Sequence, residues 1–188
     1  MSILIDQRPA TYADIEALPD NMVGQILFGM LHAHPRPAPR HARSATGLTS
    51  EIYGPFDRGR GGPGGWIILI EPEIHIGPHV VVPDIAGWRR TRLPKLPDKA
   101  YFEIAPGWVC EVLSPSTARI DRTDKLAIYA EFGVDHVWLV DPDLRILEAF
   151  ALTDGKWMLL ATLKDSDAVA IAPFEEHQFS LDNLWDDI

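Results

Sequence analysis

The stretch WVCEVL, residues 108–113, is apolar at every position but one. Side chains on a strand alternate between two faces, so a strand that is apolar throughout is covered on both. This segment therefore belongs near the middle of a sheet. Glu111 interrupts it. An unpaired carboxylate in such a layer is costly, or it is driven to hold a proton. A chain that keeps Glu111 there must give it a partner.

The segments around it predict the other elements. "RPATYADIEALPD" (8–20) predicts a short helix capped by Thr11, with Asp14 three residues on and Pro19 at its end. "MVGQILFGMLHAH" (22–34) predicts a hairpin around Gly29, and "PRPAPR" (35–40) a stiff extended connector. Ala45, Leu48 and Ile52 have helical spacing, with Gly54 as the stop. The glycine-rich stretch 54–65 is a loop.

Strands are expected at "WIILIEPEIHIG" (66–77), where Pro72 marks a bulge or edge, at "HVVVPDIAGW" (79–88) and at residues 108–113. Asp121 opens a helix that buries Leu126, Ile128 and Phe132 and stops at Gly133. "HVWLVD" (136–141) is another strand. A hairpin turns at Asp154–Gly155, and a further strand lies near "HQFS" (177–180). Helix, three strands, helix and strand, with a hairpin added at each end, make an α/β (α+β) fold around a mixed central sheet. The whole chain, 1–188, is expected to be a single domain.

Composition narrows the function. No apolar run approaches the length of a bilayer span, and the first residues lack the basic-then-apolar pattern of a secretory leader. A cytoplasmic protein is expected. The single cysteine, Cys110, rules out an internal disulfide and a Cys-based zinc cluster. The net charge of −10 opposes indiscriminate binding to phosphate backbones. The charge is uneven, however. Residues 36–92 carry eight Arg against five acids, and residues 141–188 carry eleven acids against three bases.

Asp84 closes the run "VVVPD" and Glu111 interrupts the next apolar strand. If those strands are neighbours, both carboxylates lie on one side of the sheet, where they repel unless one takes a proton or a cation joins them. A magnesium-type ion suits such a pair, because it accepts one or two carboxylates and keeps water for a phosphate substrate. Lys125, one turn into the following helix, is the cation able to reach the same place. Its ordinary role would be a surface pair with Asp121 at i,i+4. Tyr129 lies one turn further along the same face.

The motifs "VPD", "CEVLSPST" and "DRTDKLAIYAEFGVDHVWLVDP" resemble the Uma-two family of restriction-endonuclease-like proteins, within the PD-(D/E)XK nuclease superfamily. The resemblance runs from about the Gln25 hairpin to the Trp157 strand. It implies a restriction-endonuclease-like core and a metal-dependent endonuclease, with Mg (or Mn) held by Asp84, Glu111 and the carbonyl of Val112. Asp84, Glu111 and Lys125 match the catalytic positions. The superfamily's usual lysine slot is Leu113 here, and Lys125 matches the helix lysine that this family shows instead. Gln25 stands where relatives carry a glutamate, so Glu73, and less strongly Glu51, are candidates for an extra acid. His41 matches a histidine at the start of the first core helix and could contact phosphate.

Arg89, Arg90 and Arg92 could guide a phosphodiester, and the glycine loop with Arg58 and Arg60 could close over it. Arg89, Arg90, His41 and Tyr129 are the substrate-binding candidates. His32 and His34 share a strand face but lack an obvious third ligand. The expected substrate is nucleic acid, DNA first, and the expected assembly is a homodimer in which Trp157 and Trp185 suit an interface. Two rivals stand beside the endonuclease. One is a nuclease-fold binding or assembly protein of little or no activity. The other is a phosphoesterase acting on a small molecule.

Overall fold

The computed structural model describes residues 8–35 and 38–185. Residues 1–7, where the leader pattern was sought, and Arg36–Pro37 of the expected connector lie outside the described residues.

Helix α1 (Tyr12–Glu16) has the expected start: the Thr11 N–H and hydroxyl both donate to the Asp14 carboxylate. The hairpin follows as β1 (Met22–Leu27) and β2 (Met30–Pro35), turning through Phe28 and Gly29, both at positive φ. Helix α2 (Pro39–Ile52) buries Ala45, Leu48 and Ile52, as their spacing requires. Gly54 does not stop it. The chain continues through a π-turn, Tyr53–Asp57, whose Phe56 is also buried.

The two expected strands on either side of Gly77 each split at a proline. Residues 66–77 give β3 (Trp66–Ile70) and β4 (Ile74–Ile76). Residues 79–88 give β5 (His79–Val81) and β6 (Ile85–Arg89). Pro72 and Pro83 have no N–H for a ladder, so pairing ends at both. The chain changes sheet at each break. Strands β4 and β5 join the hairpin in a four-stranded sheet of order β2-β1-β5-β4. Strands β3 and β6 belong to a six-stranded sheet completed by β7 (Trp108–Val112), β8 (His136–Asp141), β9 (Ile146–Thr153) and β10 (Lys156–Lys164). Its order is β10-β9-β8-β7-β6-β3. The two breaks are tied together by the Glu71 N–H, which donates to the Asp84 carbonyl at 2.9 Å.

Strand β7 is interior, as its apolar character requires. It pairs antiparallel with β6 and parallel with β8. The parallel step needs a crossover, which α3 (Ala118–Ile120), a π-turn (Asp121–Lys125) and α4 (Leu126–Glu131) supply as one continuous helical stretch. The helix therefore opens three residues earlier than Asp121. The β9–β10 hairpin turns at Asp154–Gly155 as expected. "HQFS" contributes β12 (Phe179–Ser180), paired with β11 (Ala168–Val169), and a 3-10 turn follows at Leu181–Leu184. The architecture is a mixed sheet with helices against it and hairpins at both ends.

Alternation along β7 sorts the core. Trp108, Cys110 and Val112 join Leu48, Ile52, Trp66 and Trp138 on the α2 side. Val109 and Leu113 join Ile128, Tyr129 and Leu139 on the α4 side. Glu111 has the parity of Val109 and Leu113, so its side chain enters the α4 layer. Trp185 is buried against the α2 side, and its ring N–H donates to the Asp165 carbonyl. It is a core residue of this chain, which removes it from the expected interface.

Gly47 tests this packing. A Cβ there would lie 2.8 Å from the Asn183 carbonyl oxygen and 3.1 Å from the Leu184 Cα, both backbone. Gly47→Ala must push the terminal 3-10 turn off α2. The expected loss is about 1–3 kcal/mol, the usual cost of overpacking, read from urea unfolding followed by tryptophan fluorescence. An unchanged midpoint would show that this close approach does not constrain the fold.

Candidate active site

The register between β6 and β7 carries the geometry. Ile85 pairs with Cys110 and Ala86 with Val109. One step further, Asp84 falls opposite Glu111. Pro83 ends the ladder there and leaves the Val112 N–H without a β6 carbonyl. Asp84 Oδ2 accepts it instead, at 2.7 Å. Residue 112's carbonyl points to the same side as its N–H, past the end of β6, where His41 approaches it. His41, in the first turn of α2, also places Nε2 3.2 Å from Asp84 Oδ2. Burial opposes the His41 imidazolium, but the Asp84 carboxylate, with help from Val112 and Glu111, outweighs it and raises its pKa above the usual value. The other ring nitrogen, Nδ1, is buried with no hydrogen-bond partner among the described residues.

Glu111 is 1% exposed, and its immediate partners come from the helix. Lys125 Nζ donates to one carboxylate oxygen at 2.9 Å, and the Tyr129 hydroxyl donates to the other. Lys125 also lies 3.2 Å from Asp121 Oδ1 and donates to the Val82 carbonyl at 3.4 Å. Asp121 and Lys125 are 2% and 4% exposed, so the expected surface pair is a buried one. The π-turn spanning these two residues turns both towards the strands. Gln25 holds the same corner from the other side: its Oε1 accepts the Val82 N–H at 2.9 Å.

Three carboxylates thus stand close to one ammonium. Burial is the largest influence on Glu111 and raises its pKa. Lys125 pulls it down, Asp121 and Asp84 push it further up, and Tyr129 lowers it. The net shift is upward. Burial works against the Lys125 charge, but Glu111, Asp121 and Asp84 together hold its pKa above the ordinary lysine value. The two shifts are compatible. The ammonium is retained because it has more than one counter-charge, and Glu111, the deepest acid, is the one driven towards a proton.

This group borders a cavity of about 350 Å³, lined by Asp84, Glu111, Lys125, Asp121 and His41, with His34 and the turn Ser114–Thr117 at its rim. The structure therefore brings together Asp84, Glu111, Lys125 and His41, as the sequence led us to expect. Tyr129 is fully buried behind Glu111 and does not line the cavity, so its contact is with the acid rather than with a substrate. Arg89 ends β6 and Arg90 follows it, about 16 and about 20 Å from Asp84 at the usual strand rise. There Arg89 lies over the Trp66 ring and Arg90 pairs with Asp57.

The glycine loop precedes Trp66, which pairs with Arg89, and so shares that distant end. Glu73 hydrogen-bonds His75, and Glu51 accepts from Asn183; neither lines the cavity. Asp121 and His34 were missed as cavity residues. The signal for Asp121 was its i,i+4 spacing from Lys125. The signal for His34 was its two-residue spacing from His32, which gives a shared face but not what that face meets; that depends on how the hairpin sits across the sheet. Among the described residues no three His, Cys, Asp or Glu side chains gather as a metal cluster. An ion here would rest on two carboxylates and a carbonyl.

The fold is of the restriction-endonuclease-like class. The chain belongs to the Uma2 family, whose model carries the description "Putative restriction endonuclease" and matches residues 12–183. A crystal structure described as "a putative nuclease belonging to DUF820 from Anabaena variabilis ATCC 29413" is similar, with a TM-score of 0.76 and 22% identity. The match covers 94% of this chain and 98% of that one. At that identity the likeness establishes the fold. No curated protein matches the chain. No described helix is long and apolar enough to cross a membrane.

The charge imbalance has a measurable consequence. Glu111's folded pKa lies above its unfolded value, so between the two the folded chain holds the extra proton. Stability then falls as pH rises through that window. Glu111→Gln removes the slope. The amide can turn its carbonyl to Lys125 and donate to the Tyr129 oxygen, while Asp121 still neutralises the ammonium. The variant is expected to melt at or above the temperature of the parent, with the advantage growing from about pH 5 to about pH 8. A loss of about 3–5 kcal/mol would instead mark Glu111–Lys125 as a structural ion pair.

Proposed function

We propose that the chain is a divalent-metal-dependent nuclease that hydrolyses phosphodiester bonds in nucleic acid, with DNA the first substrate to test. The observation that carries this reading is the shortage of positive charge at a cavity wall. Among the described residues, Asp84, Glu111 and Asp121 share Lys125, with the His41 imidazole beside Asp84. A divalent cation relieves that shortage. Asp84, Glu111 and the Val112 carbonyl would hold it. All three offer oxygen, the donor preferred by magnesium and manganese, and magnesium needs few protein ligands because water and phosphate fill the rest of its shell. When bound, such an ion supplies Lewis acidity at a phosphoryl group.

The remaining work falls to this chain's own side chains. Lys125 carries a fixed positive charge at the cavity wall, suited to offset the negative charge that grows on phosphate during attack. Asp121 and the Val82 carbonyl hold the ammonium in place. Tyr129 holds Glu111 from behind. His41, bound to Asp84, orients that carboxylate towards the seat or yields to the ion.

The test is cleavage of single-stranded and plasmid DNA in magnesium or manganese. Glu111→Gln and Lys125→Ala should each lower the rate by about a hundredfold or more, and a chelator should abolish it. Undiminished cleavage by both variants would place the activity elsewhere. If no cleavage is seen and calorimetry detects no manganese binding, the chain is a binding or assembly protein on a nuclease fold.

A further inference from the structure

The cavity does not end at Glu111 and Lys125. A second hollow of about 390 Å³ opens beside it, and the two share His34, Pro35, Ser116, Thr117 and Asp121. Beyond that shared edge the linings diverge. The first holds Asp84, Glu111, Lys125 and His41. The second runs under the β1–β2 hairpin and is completed by Gln25, Leu31, His32, Ala33 and Ile120.

No lysine or arginine lines the second hollow among the described residues, and its one acid is Asp121. That makes it a poorer seat for a phosphate than the first hollow, whose wall carries Lys125. The hollow offers other chemistry. Leu31 and Ile120 are apolar. Ser116 and Thr117 carry hydroxyls, both linked to the Ser114 hydroxyl, at 3.0 and 2.9 Å. His32 presents a half-buried ring. His34 stands between the two hollows. Its Nδ1 is 3.1 Å from the Pro35 carbonyl and its Nε2 is 3.5 Å from Gln25 Nε2.

Since Gln25 Oε1 is committed to the Val82 N–H, its amide nitrogen faces His34 as a donor. In this arrangement the amide donates to His34 Nε2 and Nδ1 faces the Pro35 carbonyl. A glutamate at position 25 would add a second negative charge to this wall. Glutamine leaves it polar but uncharged.

Flat rings, hydroxyl groups and apolar patches without cations are what a planar heterocycle requires: a face to stack on and edges to hydrogen-bond. We propose that this second hollow takes the base of a nucleotide adjoining the phosphate that would meet the divalent ion held by Asp84 and Glu111. The substrate is then a single strand or an unpaired end. The inference rests on the nuclease reading above. A paired base would have to leave its stack to enter the hollow, at a cost that a single strand does not bear.

The test is fluorescence anisotropy of the full chain in calcium, with a labelled oligonucleotide of about 12 nucleotides, single-stranded or annealed to its complement. The single strand should bind about tenfold or more tightly than the duplex, and His32→Ala should lose about tenfold for the single strand alone. His32→Phe, which keeps a ring to stack on, should retain the parent's affinity. Circular dichroism confirms that both variants are folded. Equal or tighter binding of the duplex, or single-strand affinity unmoved by His32→Ala, overturns the base pocket and leaves the nuclease reading standing. Binding of neither form removes both.

Discussion

Glu111 lies on the most protected strand of the larger sheet, and the structure around it answers the electrostatic difficulty this creates. Its carboxylate is held by an ammonium and a phenol from the crossover helix. The same ammonium reaches the Val82 carbonyl, and the N–H of the same residue donates to Gln25 from the hairpin. One residue at the junction of the two sheets, Val82, is therefore gripped through both its N–H and its carbonyl, by Gln25 and by the ammonium that also holds Glu111. The hairpin, the proline corner and the helix are fixed relative to one another through this network. Apolar packing alone would leave their relative rotation far less constrained, because it is not directional.

Pro72 and Pro83 have a related part. Neither can donate to a ladder, and each sits where the chain leaves one sheet for the other. Ending the β6 ladder at Ile85 frees the backbone of Val112. Its N–H is then available to Asp84, and its carbonyl faces His41. An uninterrupted strand through residues 79–88 would have used those groups in sheet hydrogen bonds and turned Asp84 into an ordinary cross-strand neighbour of Glu111. Like charges directly opposite one another destabilise a sheet. The corner converts that repulsive pair into two walls of a cavity.

What could be read in the residues follows from this. Periodicity located α2, β7, β8 and both hairpins, because each has its own apolar pattern or turn. The acids Asp84 and Glu111 stood out as exceptions inside apolar runs. The changes of sheet did not stand out. A proline in a strand signals an interruption, but where the chain goes next depends on partners distant in sequence. Asp121 and Lys125 read as a solvated pair for the same reason: i,i+4 spacing fixes which face of a helix they share, not what that face meets. His34 and Gln25 reached the site through the placement of a whole hairpin. Arg89 and Arg90 illustrate the reverse error. Closeness to Asp84 in sequence became distance in space, since an extended strand carries them away from it.

Leu113 and Lys125 show how one requirement can be met from two parts of a fold. An ammonium near Glu111 can come from two residues along the same strand or from the helix behind it. On the strand, position 113 is buried among Ile128, Tyr129 and Leu139. A lysine there would have to lead its charge out of an apolar layer, and the leucine packs instead. The helix supplies the cation because its π-turn places Asp121 and Lys125 towards the cavity while the following turn places Ile128 and Tyr129 in the core. A regular α-turn would rotate the later residues relative to the earlier ones by about 100° for each residue removed, so both sets would not face their present partners. The wide turn is thus what allows a single helix to serve the charged cavity at its start and the apolar layer along the rest of its length.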